Sequence, residues 1–194
     1  MDSKTLVIKY LDEAHAVETA LVSNLTAHIA MTTDDPYQRI LERHLDETKA
    51  QVSNIDKRRS ELGSDGGRGV LSATLGVARD AVGQFLVLSK GPIDLVRTID
   101  QRERMLKNAR DECATEAIEI AVYDALEAAS NAAGDTKTAK LAVAHRKQEE
   151  RMLADLREQI GRLAGQAFEA QTGEKAKGTV KSRSTANGRK KTTA

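Results

Sequence analysis

Four long stretches of the 194-residue sequence carry apolar residues three and four positions apart, and each of these stripes is broken near its middle by ionisable side chains. Spacing of this kind marks the face of an α-helix that packs against its neighbours. In the first stretch, about Ser3 to Met31, the stripe is Leu11, His15, Glu18, Val22, Leu25 and Ile29. In the second, from Asp35 to about Leu62, it starts at Tyr37 and Ile40/Leu41, reaches His44, Glu47/Thr48 and Gln51, and resumes at Ile55 and Leu62. The third, about Asp100 to Ala132, gives Met105, Ala109, Glu112, Glu116, Glu119, Tyr123 and Leu126. The fourth, about Thr136 to Gln171, gives Leu141, His145, Glu149, Met152, Leu156, Ile160 and Leu163.

The punctuation between the stretches sets their connectivity. "TTDDP" separates the first two, with Asp35 expected as the cap and Pro36 in the first helical turn. Gly63 is expected to end the second, and Gly134 the third. "GSDGGRG" reads as a loop, without the lysine and spacing of a phosphate-binding loop. Val70 to Leu88 suggests a short extra helix within a long crossover, closed by "SKGP". With only two prolines and no tryptophan, the expected fold class is all-α. Short first and last connections around one long crossover describe a ferritin-like four-helix bundle over residues 1–171.

Charge divides the chain unevenly. Residues 172–194 hold seven Lys/Arg and one acid, a tail of +6, so the net +1 leaves −5 on the body. The tail lacks periodicity and is expected to be disordered. Cys113 is the one cysteine and has no disulfide partner within the chain. Acidic residues come too early in "MDSKTLVIKYLDEAHAVE" for a signal peptide, and no segment approaches the roughly 18 uninterrupted apolar residues of a spanning helix. A cytoplasmic protein without membrane insertion is expected.

The interrupted stripes carry the chemistry. Every long helix places a carboxylate on its core side, and leaving even one of them charged and unpaired there costs several kcal/mol. No Lys or Arg stands near the middle of the stripes, so metal cations are the simplest compensation. Carboxylate and imidazole donors suit iron, manganese or zinc better than a thiolate-seeking metal. Two cations bridged by glutamates would balance this charge, and with Fe(II) such a site would react with dioxygen or peroxide.

"YLDEAHAVETAL", "HLDETKAQ", "TEAIEIAVY" and "QEERMLADL" resemble the corresponding helices of the bacterial stress-protein family that includes YciE and YciF, which are ferritin-like four-helix bundles. The likeness covers most of residues 1–171. Carried over position by position, it implies Glu18, His44, Glu47, Glu116, Glu119 and Glu149 as metal ligands, and the stripes add His15 and His145. The expected cofactor is iron or manganese, as one or two ions, ahead of zinc, and the expected assembly is a homodimer.

Plainer readings stand beside these. His28 reads as surface or hydrogen-bonded core, Glu112 as an outer or surface acid, Cys113 as a small buried residue and Tyr123 as a core tyrosine able to bond a ligand carboxylate. Gln51 is placed to orient a ligand. Di-iron bundles use Glu-x-x-His, whereas here His44 precedes Glu47 and His15 precedes Glu18. That reversal motivates an alternative: a non-enzymatic interaction bundle lacking a competent centre, whose tail contacts nucleic acid through phosphates. Metal binding, with Fe(II) oxidation or oxidant removal, is the preferred expectation, and a nucleic-acid partner is not favoured.

Overall fold

A computed structural model describes residues 1–63 and 100–178. Over these residues the chain is an all-α bundle of four helices with no strand: α1 Ser3–Met31, α2 Asp35–Glu61, α3 Gln101–Ala132 and α4 Thr136–Thr172. The expected crossover helix, the loop from 64 onward and the tail beyond 178 lie outside the described residues. None of the described helices is long and apolar enough to cross a membrane.

Each helix starts on an aspartate whose carboxylate accepts a backbone N–H that the first turn cannot satisfy internally. These are Asp2 to Thr5 N at 2.8 Å, Asp34 to Tyr37 N at 3.0 Å, Asp100 to Arg102 N at 2.8 Å and Asp135 to Thr138 N at 3.0 Å. The cap of α2 is therefore Asp34, one residue before the expected Asp35, which lies inside the first turn. Gly63 and Gly134 adopt left-handed φ of 71° and 73°, the conformation that lets the chain leave α2 and α3 without a Cβ clash.

Helix directions follow from two apolar clusters. One gathers Leu21, Leu25, Tyr37, Leu41, Met105, Ala109, Met152, Leu156 and Leu163. The other gathers Val7, Leu11, Ala14, Ile55, Tyr123, Leu126 and Ala142. α1 and α4 thus run from the second cluster to the first, and α2 and α3 run the opposite way. α2 and α3 are therefore parallel, and residues 63 and 100 lie at opposite ends of the bundle.

Ion pairs fasten both ends. Arg162 of α4 grips the Asp34 cap through two nitrogens, at 2.5 and 2.7 Å, and holds its carboxyl down at about 2. At the opposite end Arg58 of α2 bonds both oxygens of Asp135, the cap of α4, at 2.8 Å. The Arg162 pair is bidentate, and the Arg58 pair shares one guanidinium nitrogen between both Asp135 oxygens; charge-assisted contacts of both kinds fix register between helices as well as adding stability.

Candidate metal centre

Between the two apolar clusters, every helix contributes a polar residue to the interior. On α2 the buried positions are Tyr37, Leu41, His44, Thr48, Gln51 and Ile55. On α3 they include Met105, Ala109, Glu112, Glu116, Glu119, Tyr123 and Leu126, every member of the stripe read from the sequence. α4 buries His145, Glu149, Met152, Leu156 and Leu163 from its stripe. α1 keeps Leu11, Glu18 and Leu25 of its expected stripe and also buries Val7, Ala14, Val17 and Leu21. Ala14 and Leu21 take the places expected for His15 and Val22.

His44, Glu116, Glu119 and Glu149 bring one donor atom each to within 4.8 Å of one another. All four side chains are at most 1% exposed. His44 Nε2 lies 3.2 Å from Glu116 Oε1 and 3.8 Å from Glu149 Oε2, but it is not aligned for a hydrogen bond. Both oxygens of Glu116 and of Glu119 are buried without a hydrogen-bond partner, as is Glu18 Oε2. Among the described residues no lysine or arginine lies within ion-pair distance of these carboxylates.

Burial is the main reason that the carboxyls of Glu18, Glu116 and Glu119 are pushed well above their usual range, with mutual repulsion adding to it. Glu149 raises all three, so Glu18 belongs electrostatically to the group even though it is not one of the four closest donors. A layer of buried carboxyl groups whose oxygens lack hydrogen-bond partners fits a hard or borderline cation: the donor set is oxygen-rich, holds one imidazole and is closed to solvent.

The remaining predicted donors are placed elsewhere. Glu47 is half-buried and outside the group, because the core positions of α2 at this level are His44 and Thr48. His15 sits at the rim, with Nε2 3.1 Å from Asp56 Oδ1. His145 is buried, but both ring nitrogens are engaged outside the group, Nδ1 at 3.0 Å from the Tyr123 hydroxyl and Nε2 at 3.4 Å from Asn54 Nδ2. Burial holds its imidazole down at about 4, and so neutral.

Of the residues given plainer readings, Glu112 departs from its surface reading and Gln51 follows its own. Glu112 is buried, not a surface acid, and pairs with His28 Nδ1 across the bundle. Its membership of the α3 stripe was the signal in the sequence. Gln51 donates to Glu149 Oε1, the orienting role its position in the α2 stripe suggested. Cys113 is half-buried against the first apolar cluster, and burial pushes its thiol up, away from reactivity.

Fold and site together define a class: a four-helix bundle whose interior carries a buried carboxylate and histidine layer between two apolar ones. Residues 95–169 match the family model described as "Domain of unknown function (DUF892)". Among solved structures, a protein of Xanthomonas campestris matches with a TM-score of 0.67 at 22% identity, over 87% of this chain and 97% of that one. The Escherichia coli stress protein YciF matches with a TM-score of 0.61 at 19% identity, over 90% of this chain and 99% of that one. The resemblance drawn from the sequence is supported on both counts: residues 95–169 match that family model, and the chain is similar in fold to YciF. No curated protein matches the chain.

Proposed function

We propose that this bundle binds transition-metal cations, iron or manganese, in its buried polar layer. The observation that carries the reading is the convergence of His44, Glu116, Glu119 and Glu149 within 4.8 Å, closed to solvent, with carboxylate oxygens that nothing else satisfies. These four would hold a first cation, and Glu18 from α1 would reach toward a second. With iron as the occupant, the centre would supply oxidation of Fe(II) by dioxygen or peroxide. The chain's own residues contribute the rest. The apolar layers above and below exclude water, Gln51 fixes one oxygen of Glu149, and His28 holds Glu112 one turn from Glu116. The description of YciF as a stress protein suggests oxidant or metal stress as the setting for this chemistry.

Anaerobic titration with Fe(II) and Mn(II), combined with elemental analysis of untagged protein, tests the reading. Uptake of one to two equivalents that Glu116→Gln weakens at least about tenfold is expected, as for loss of a ligand or its support. A cation that binds only the folded state should raise stability by about 2.7 kcal/mol at a hundredfold excess over its dissociation constant, and chelation should remove that gain. Metal content near zero with no uptake of either ion would abandon the metal reading for the interaction-module alternative.

A further inference from the structure

Tyr123 lies one turn beyond Glu119 on α3, 1% exposed, and its hydroxyl donates to Glu18 Oε1 on α1. Behind it stands His145 of α4, with Nδ1 3.0 Å from the same hydroxyl and the two rings edge to face at 5.2 Å. Behind His145, Asn54 of α2 brings its amide nitrogen 3.4 Å from Nε2. A phenol has a single proton. If that proton goes to Glu18, the phenol oxygen must accept from His145, so Nδ1 carries the imidazole proton and Nε2 accepts from Asn54. The one assignment satisfying every contact is a chain of donors running inward, Asn54 to His145 to Tyr123 to Glu18, with one residue from each helix. At its end Glu18 has Oε1 occupied and Oε2 buried without a partner.

We infer that Tyr123 is a positioning residue: backed by His145, it holds Glu18 by one oxygen and so presents only Oε2 to a cation in the polar layer. The inference rests on the metal-binding reading and assigns Tyr123 and His145 to it without making either a ligand. A carboxylate held in this way binds through one oxygen in a fixed direction, whereas a released one can swing or chelate. Outer partners of metal ligands commonly alter affinity by about ten- to a hundredfold when removed.

Anaerobic Co(II) titration, followed by visible d–d absorption, tests it on the full chain in four forms: the natural sequence, Tyr123→Phe, Glu18→Gln and the double variant. Tyr123→Phe should weaken Co(II) binding about tenfold and change the shape of the absorption band, because Glu18 is no longer confined to one oxygen. In the Glu18→Gln background the same change should have no further effect, since a residue that acts through Glu18 has nothing left to act on. An equal loss in both backgrounds, or unchanged affinity and spectrum in Tyr123→Phe, overturns the inference while leaving metal binding intact. No Co(II) uptake by the natural sequence overturns both. Should Tyr123→Phe lose its helical circular dichroism, His145→Gln decides by the same cycle: a smaller loss confined to the Glu18 background supports the inference, and a loss present in both overturns it.

Discussion

The apolar layers of this bundle and the polar layer between them come from the same four helices at the same spacing, yet opposite physics governs them. Around Leu21, Leu41, Ala109 and Leu156, burial is its own reward, worth about 1.5–3 kcal/mol for a large aliphatic side chain. Around Glu116, Glu119 and Glu149, burial is a cost that protons or a cation must offset. The comparison separates what makes the chain fold from what makes it useful: the outer layers stabilise the bundle enough to keep a destabilising layer in its middle.

The largest effect expected from this contrast is in the apolar layer. Leu156→Ala should destabilise the protein by about 2–5 kcal/mol in denaturant titration, equally with and without added metal, since it leaves a cavity in the apolar cluster, two turns along α4 from Glu149. A strong dependence of that loss on metal would show that the layers are not energetically separate.

A smaller effect of opposite sign is expected in the polar layer. Glu119 has its carboxyl raised in the folded state, so above the unfolded value of about 4.5 the unfolded chain releases a proton that the folded chain keeps. The unfolded state is then favoured as pH rises, until the folded carboxyl itself ionises. Glu119→Gln removes this liability. In metal-free protein the variant should gain on the natural sequence by up to about 1.4 kcal/mol per pH unit, compared by denaturant midpoints between pH 5 and 8. The difference measurement cancels His145, whose lowered pKa favours the folded state as pH rises between about 4 and 6.5. A variant less stable than the natural sequence at pH 8 would mean the layer is satisfied without protons or metal.

The smallest effect sharpens the border between the layers and the surface. Glu47→Gln should leave metal affinity within about twofold in the same titrations, the range usual for substitutions away from a buried network. A tenfold loss would return Glu47 to the ligand set.

How much of this was legible in the sequence varied by helix. Every α3 position read as buried is buried, because the stripe is narrow: Glu112, Glu116, Glu119 and Tyr123 stand beside exposed Ala117, Ile118 and Ala121; the stripe omitted only Thr115 and Ser130, which also turn inward. On α1, Leu11, Glu18 and Leu25 were read correctly and His15 and Val22 one position out. Ala14, Val17 and Leu21 compete with Ala16 and Val22 for the same face, so periodicity alone admits either rotation. The neighbouring helices select Ala14 and Leu21, and His15 is left at the rim beside Asp56. On α2 the same ambiguity divided Glu47 from Thr48, and packing gave the interior to Thr48.

The sequence by itself determined four helices, their order, the long connection between the second and third, and a polar layer at mid-height, because helical periodicity and capping are local properties written in adjacent residues. Only the tertiary structure decided which polar residues meet. His44 and Glu116 are 72 positions apart in the chain and 3.2 Å apart in the bundle, and no local rule relates them. Likewise, whether His145 faces the carboxylates or turns to Tyr123 depends on the rotation of α4 against α3, a choice made by the summed packing of whole helix faces.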